Sequence, residues 1–191
     1  NEDAFEKVVA GVNSEFGEVF WFYPSASATE NDKYVVYNYE QKIWYVGAFG
    51  RSAWIDKGIY EYPMASVATL VYNHEKTNDD DGTAMTSFIE SSPIDIGDGE
   101  NFTFVQRLIP DISFNNSETD AVNQAVFTIK GERFPGTGYV TSKTVNVEDN
   151  ATQSFVRVRG RAFGVRVESS NALINWRLGS PRVEIVQDGK R

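Results

Sequence analysis

The chain has 191 residues, enough for one large β domain or two small ones, and a hydrophobic content of 41% excludes general disorder. Its 18 Lys and Arg against 27 Asp and Glu give a net charge of -9, which argues against a free nucleic-acid binder because phosphates would be repelled by the average surface. Cysteine is absent, which excludes a disulfide framework and a thiolate metal site and fits a protein assembled inside a cell.

The pattern is β almost throughout. "KVVAGVN" (7–13) and "EVFWFYP" (18–24) are short apolar and aromatic runs separated by "SEFG", and they predict a hairpin. After the polar loop 25–33, "YVVYNY" (34–39) and "IWYVGAF" (43–49) flank "EQK", short enough for a second hairpin. Four adjacent antiparallel strands make a unit about the size of one propeller blade or a small meander. Residues 50–64 read as a connector with a buried Trp54, residues 65–75 as one strand, and residues 83–91 as its return strand.

The run 101–114 is a long strand with a bulge or edge at Pro110, since proline cannot donate to a ladder. Residues 123–131 and 143–149 are further strands, and 154–170 predicts a hairpin around Gly160. Residues 173–191 close the chain with one or two strands and a basic tip. The best helical stretch, 3–16, is weakened by Gly11 and its valines. The composition shift near residues 76–100 divides the chain into a propeller-like antiparallel region, 1–75, and a sandwich-like domain, 76–191. The chain begins with Asn1 and is patterned almost at once, so it reads as the carboxyl portion of a longer polypeptide or as a processed one. No run of 18 apolar residues occurs, and no membrane partner is expected.

Alternation places Tyr37 and Tyr39 on one strand face and Val36 and Asn38 on the other, and sets Trp44 and Val46 opposite Tyr45. Rings on both faces favour a sheet packed between layers. A carbohydrate platform would present its rings on one exposed side. Arg157, Arg159 and Arg161, spaced by two, share one face of an extended strand. If the chain turns at Gly160, Arg161 leaves the row and Arg166 joins it from the partner strand. The plain reading is a solvated face balanced by Glu148 and Glu168. The sharper one makes Arg157, Arg159, Arg161 and Arg166 contacts at a subunit interface or a DNA channel.

Carboxylates cluster in "NDDDG" (78–82) and "DIGDGE" (95–100), but neither has calcium-loop spacing, and turn chemistry accounts for Asp beside Gly. His74 is the sole histidine, which excludes a two-histidine metal site. No nucleophile elbow or phosphate loop occurs, and no acidic pair stands out. No catalytic residue, metal or cofactor is therefore expected.

Residues 7–47, "RSAWIDKG" (51–58), "YPMA" (62–65), 89–114, 157–169 and 176–191 resemble, in order, the carboxyl half of a short-tailed bacteriophage virion protein. That family is called the tail nozzle, tail hub or packaged-DNA stabilization protein. Residues 115–153 carry little of the likeness. The resemblance implies an all-β chain, with partial β-propeller blade material followed by a β-sandwich-like domain. It implies a non-enzymatic virion structural subunit in the phage tail, assembled in the host cytoplasm. The expected partners are copies of itself in a hexameric ring, portal or adaptor and tail fibre proteins, and phage DNA in transient passage. Two rival readings are a carbohydrate- or receptor-binding β module and a glycan-degrading enzyme built on a propeller.

Overall fold

The computed structural model describes residues 1–97, 100–115, 122–134 and 136–189. The chain is all-β, and its antiparallel sheets do not close into a barrel. It divides into two compact units, Asn1–Thr77 and Asn78–Arg191.

The first unit opens with a 3-10 turn, Glu2–Lys7, whose Asp3 N–H is capped by the Asn1 side chain at 3.0 Å. Strands β1 (Val9–Asn13), β2 (Glu18–Tyr23), β3 (Lys33–Asn38) and β4 (Ile43–Gly47) then form a four-stranded meander in chain order. Between β3 and β4 the Asn38 side chain accepts from the N–H groups of Glu40 and Gln41, which fixes the turn. Residues 50–64 are not a plain connector. They contain β5 (Ala53–Ile55), which joins β6 (Met64–Val67) and β7 (Leu70–Asn73) in a three-stranded sheet. Residues 65–75 are likewise a hairpin and not one strand, because the chain reverses at Ala68, whose φ is 50°.

Register divides the meander into two faces. Rows Val9–Phe22–Tyr34–Gly47 and Gly11–Phe20–Val36–Tyr45 point inward. There Phe20, Phe22 and Val36 are buried, with Tyr34, Phe49 and Trp54 packed on them. Trp54 is half-buried and stacks on Phe20 at 5.1 Å between centroids. A Cβ at Gly11 would lie 2.5 Å from the Trp54 ring, so only glycine admits the indole there. The guanidinium of Arg51 is buried beside this core, 4.5 Å from the Phe49 ring, and its Nε donates to His74 Nε2 at 3.0 Å.

In the second unit, Asp80 and Thr83 close the acidic turn with reciprocal backbone hydrogen bonds of 2.8 and 2.9 Å. The other acidic loop, 95–100, includes residues 98 and 99, which lie outside the described residues. Strands β8 (Ser87–Glu90), β9 (Ile94–Asp95), β10 (Thr103–Ile109), β11 (Ile112–Phe114), β12 (Gln124–Glu132), β13 (Tyr139–Glu148), β14 (Ser154–Gly160), β15 (Ala162–Ser169), β16 (Trp176–Leu178) and β17 (Arg182–Gln187) follow. One sheet runs β13-β12-β15-β8, with β9 also on β15; a second runs β14-β10-β17; β11 and β16 form a pair. Val105, Leu108, Val156 and Val158 of the second sheet pack with Phe127, Ile129, Val147, Phe163 and Val167 of the first, a sandwich-like core.

Three expectations change here. Residues 83–91 supply β8, which pairs with β15 instead of returning along 65–75. Pro110 separates β10 from β11, while the register shift lies between Val105 and Arg107. No hairpin forms around Gly160: β14 pairs with β10 and β15 pairs with β12. The Arg161 N–H donates to the Glu132 carbonyl at 2.8 Å, so the chain is captured by β12 and passes from one sheet to the other.

Candidate functional site

The β14 sequence "SFVRVRG" alternates Val156 and Val158 into the core with Phe155, Arg157 and Arg159 outward. Antiparallel pairing extends the outward side chains into two rows, Phe155–Arg107–Glu184 and Arg159–Phe104–Val186. Between the rows lies an open recess of about 470 Å³ lined by Phe104, Gln106, Arg107, Phe155, Arg157 and Glu184. Arg107 is held by Glu184 at 2.7 Å and by Gln153 at 2.7 Å. Arg159 is paired with Asp188 and lies over the Phe102 ring at 4.1 Å. Arg157 is exposed and makes no ion pair among the described residues, and its neighbour Phe155 is 72% exposed. An arginine and aromatic side chains around a concavity are the residue types that anchor interfaces.

The other two candidate arginines sit elsewhere. Arg161 leaves the row at the corner after Gly160, yet its guanidinium reaches Phe102 at 4.8 Å and Phe134 at 5.1 Å. Arg166 belongs to β15 in the other sheet and does not join the row. It pairs with Glu90 at 3.0 Å and Glu168 at 2.7 Å and lies 3.9 Å over the Phe88 ring. Lys130 also binds Glu90. Lys130 first, and Arg166 with it, hold the Glu90 carboxyl below the usual carboxylate range.

A folded-state pKa below the unfolded value adds stability that is present above the ordinary carboxylate range and is lost as pH falls through the folded value. Glu90→Gln is therefore expected to cost about 0.5–1 kcal/mol at pH 7. The difference from the parent should shrink as pH drops below 4.5, the ordinary value for this carboxyl. Urea midpoints at pH 7 and pH 3.5 measure it, and a gap that persists at pH 3.5 contradicts the assignment.

A second surface is the outward face of the meander. Its rows are Ala10–Trp21–Val35–Val46 and Val12–Val19–Tyr37–Trp44, eight residues without a charge. Trp44 is 63% and Val46 69% exposed. Trp44 packs against Tyr37 in a tilted contact at 4.6 Å and stacks on Trp21 at 5.9 Å. The packing expected from rings on both faces therefore holds for the inward face, whereas no described residue of the first unit covers Trp44 and Val46 on the outward face. Alternation placed Trp44 with Val46 on one face of their strand; Tyr37 joins them through the register of β3 on β4, and Trp21 through that of β2 on β3.

At the end of the inward face the Tyr45 hydroxyl donates to Glu18, and Asn13 donates to Glu75 at 3.3 Å. Burial, then the negative charges of Glu18 and Glu15, push the Glu75 carboxyl up. The residue stands 62 positions from Asn13, and no local pattern announces the contact. Among the described residues, no group of three His, Cys, Asp or Glu side chains is placed to hold a metal ion. No protein-family model and no curated protein matches the chain.

Proposed function

We propose that the chain is a non-enzymatic virion structural protein, a subunit of the tail nozzle or hub ring of a short-tailed phage. In this reading it forms part of the DNA exit channel and docks the portal or adaptor and the tail fibres. The ordered likeness of residues 7–47, 89–114 and 176–191 to that family supports it. The observation that carries it is the meander's outward face, an uncharged aromatic sheet surface exposed to solvent. Contiguous apolar surfaces of this kind mark association sites. The meander is then blade material, and the second unit a sandwich domain. Arg157 and Phe155 offer a second contact surface. With one unpaired arginine there and a net charge of -9, phage DNA would be touched without being retained.

Localisation on the native particle tests the proposal. Antibody-labelled electron microscopy of phage particles is expected to place the protein in a ring at the tail. Label absent from the tail, with a purified protein that stays monomeric, overturns it.

The carbohydrate-binding reading is favoured by one observation, the 63% exposure of Trp44 beside Tyr37. Against it, Trp44 stacks on Trp21 and packs against Tyr37, which occupies faces a sugar would need. Glycan binding that is lost in Trp44→Ala would favour this second reading over the first.

A further inference from the structure

Strands β4 and β7 are terminal strands of the first unit: β4 ends the four-stranded meander and β7 ends the three-stranded sheet. Their sequences, "IWYVG" and "LVYN", contain neither charge nor proline. Both are open to solvent, with Trp44 at 63%, Val46 at 69%, Leu70 at 56% and Val71 at 68% exposure. An open, uncharged edge is a template for strand pairing, and proteins ordinarily guard edges with charges, prolines or bulges.

The second unit follows that rule. Its terminal strands β8, β13, β14 and β17 carry Glu90, Lys143 with Glu148, Arg157 with Arg159, and Arg182 with Glu184. Two further ends, β1 and β5, lie beside each other, with Trp54 Nε1 donating to the Val12 carbonyl at 2.8 Å. The β11–β16 pair is short, three residues each; β16 carries Arg177, and β11 follows Pro110 and Asp111 directly. Among the described residues, charge, or in β11 a length of three residues after Pro110, thus marks the ends of the second unit, and β4 and β7 have neither.

We infer that β4 of one copy pairs with β7 of a second copy, joining the four-stranded sheet of one to the three-stranded sheet of the next. Charge selects the partner. The longer edges of the second unit, β8, β13, β14 and β17, would bring Lys, Arg or Glu against Trp44 and Val46 and strip it of water without a counter-ion, and β11, at three residues, is shorter than β4. β7 brings none. The lengths also match, five residues against four. Pairing of β4 with itself would leave β7 of every copy open, whereas β4 with β7 covers both unguarded edges. Such a head-to-tail contact repeats from copy to copy and closes into a ring or continues as a filament. Closure into a ring rests on the reading under Proposed function; the strand pairing does not.

The chain lacks cysteine, so single introduced thiols report contacts directly. Chains carrying Val46→Cys and Val71→Cys are mixed and treated with a short bis-maleimide. Pairing raises the effective thiol concentration to about the millimolar range, so the mixed cross-link should form on the order of tenfold faster than a control. That control joins Val46→Cys to Val183→Cys on the guarded β17. A chain carrying both Val46→Cys and Val71→Cys should give a ladder of multimers, and the unsubstituted chain should sediment faster as its concentration rises. Circular dichroism establishes that the variants are folded.

A Val46→Cys self-cross-link equal to the mixed one overturns the inference. So do cross-links no faster than the control with a sedimentation coefficient independent of concentration. Cross-linking by a protein never found in tails leaves the pairing standing and removes the ring. Tail-located protein whose two thiols never cross-link removes the pairing and leaves the tail reading.

Discussion

Phe22→Ala is expected to cost about 3–5 kcal/mol and to lower the urea midpoint of the first unit sharply. Phe22 is fully buried, and its ring lies 5.8 Å from Phe20, 6.1 Å from Tyr34, 5.9 Å from Phe49 and 5.9 Å from Trp54. Truncation would leave two ring pairs, Phe20 with Trp54 and Tyr34 with Phe49, facing a void. The rings around it are large and packed on one another, so the site collapses poorly, which is the condition under which truncation costs most. A unit of this size has a total stability of about 4–11 kcal/mol, so the loss takes a large share of it.

Tryptophan fluorescence during urea unfolding is the measurement. Trp21, Trp44 and Trp54 lie in the first unit and only Trp176 in the second, so the signal reports chiefly on the meander. Phe5→Ala, at 73% exposure, is the control and should change stability by less than about 0.5 kcal/mol. Equal midpoints for the two variants would show that the ring cluster is not what holds the sheet.

The meander was legible because its information is local. "YVVYNYEQKIWYVGAF" spells two alternating runs around a turn, and alternation alone sets Tyr37 opposite Val36 in one strand and Trp44 opposite Tyr45 in the other, while the register joins Tyr37 to Trp44 and Val36 to Tyr45. What alternation does not say is whether a face is covered. The covering of the inward face comes from Trp54 and Phe49, on segments that local pattern describes only as a connector and a strand end. Hence Trp54 was identifiable as a packed ring while β5 around it was not.

In the second unit the strands were legible and their partners were not. β10 takes its neighbours from β14 and β17, roughly fifty and eighty residues on, and nothing in a seven-residue run specifies such a choice. The arginine row shows the consequence. Arg157 and Arg159 share a face, as their spacing requires, but the fate of Arg161 depends on Glu132 capturing the chain. Arg166 depends on Glu90, 76 residues away, which reaches it only because β8 pairs with β15. Spacing identifies which side chains point together; long-range pairing decides which of them already have counter-ions, and therefore which remain available to a partner.

Gly50→Ala is expected to be nearly as damaging, at about 3 kcal/mol, the upper part of the range for overpacking. A Cβ at residue 50 would lie 1.4 Å from the Asn31 carbonyl oxygen, 2.3 Å from its carbon and 3.0 Å from the Asp32 nitrogen. All three are backbone atoms, so no rotamer change relieves the contact. Nor is that backbone free to withdraw. The Asn31 side chain donates to the carbonyls of Lys7 and Arg51 at 2.7 and 2.9 Å, and the Asp32 carboxylate accepts from the Ser25 N–H at 2.6 Å. Displacement on the other side moves Phe49, which packs on Tyr34 at 4.5 Å, and the buried Arg51, whose Nη1 donates to the Gly50 carbonyl at 2.8 Å. Gly82→Ala is the contrast: it meets nothing within 4 Å and adds only the strain of its positive φ, about 1–2 kcal/mol. Thermal unfolding should place Gly50→Ala well below Gly82→Ala, by about 4–8 °C for each kcal/mol between them. Equal midpoints would mean that residues 31 and 50 separate freely, and that the two hydrogen bonds of the Asn31 side chain do not bind this loop to the core.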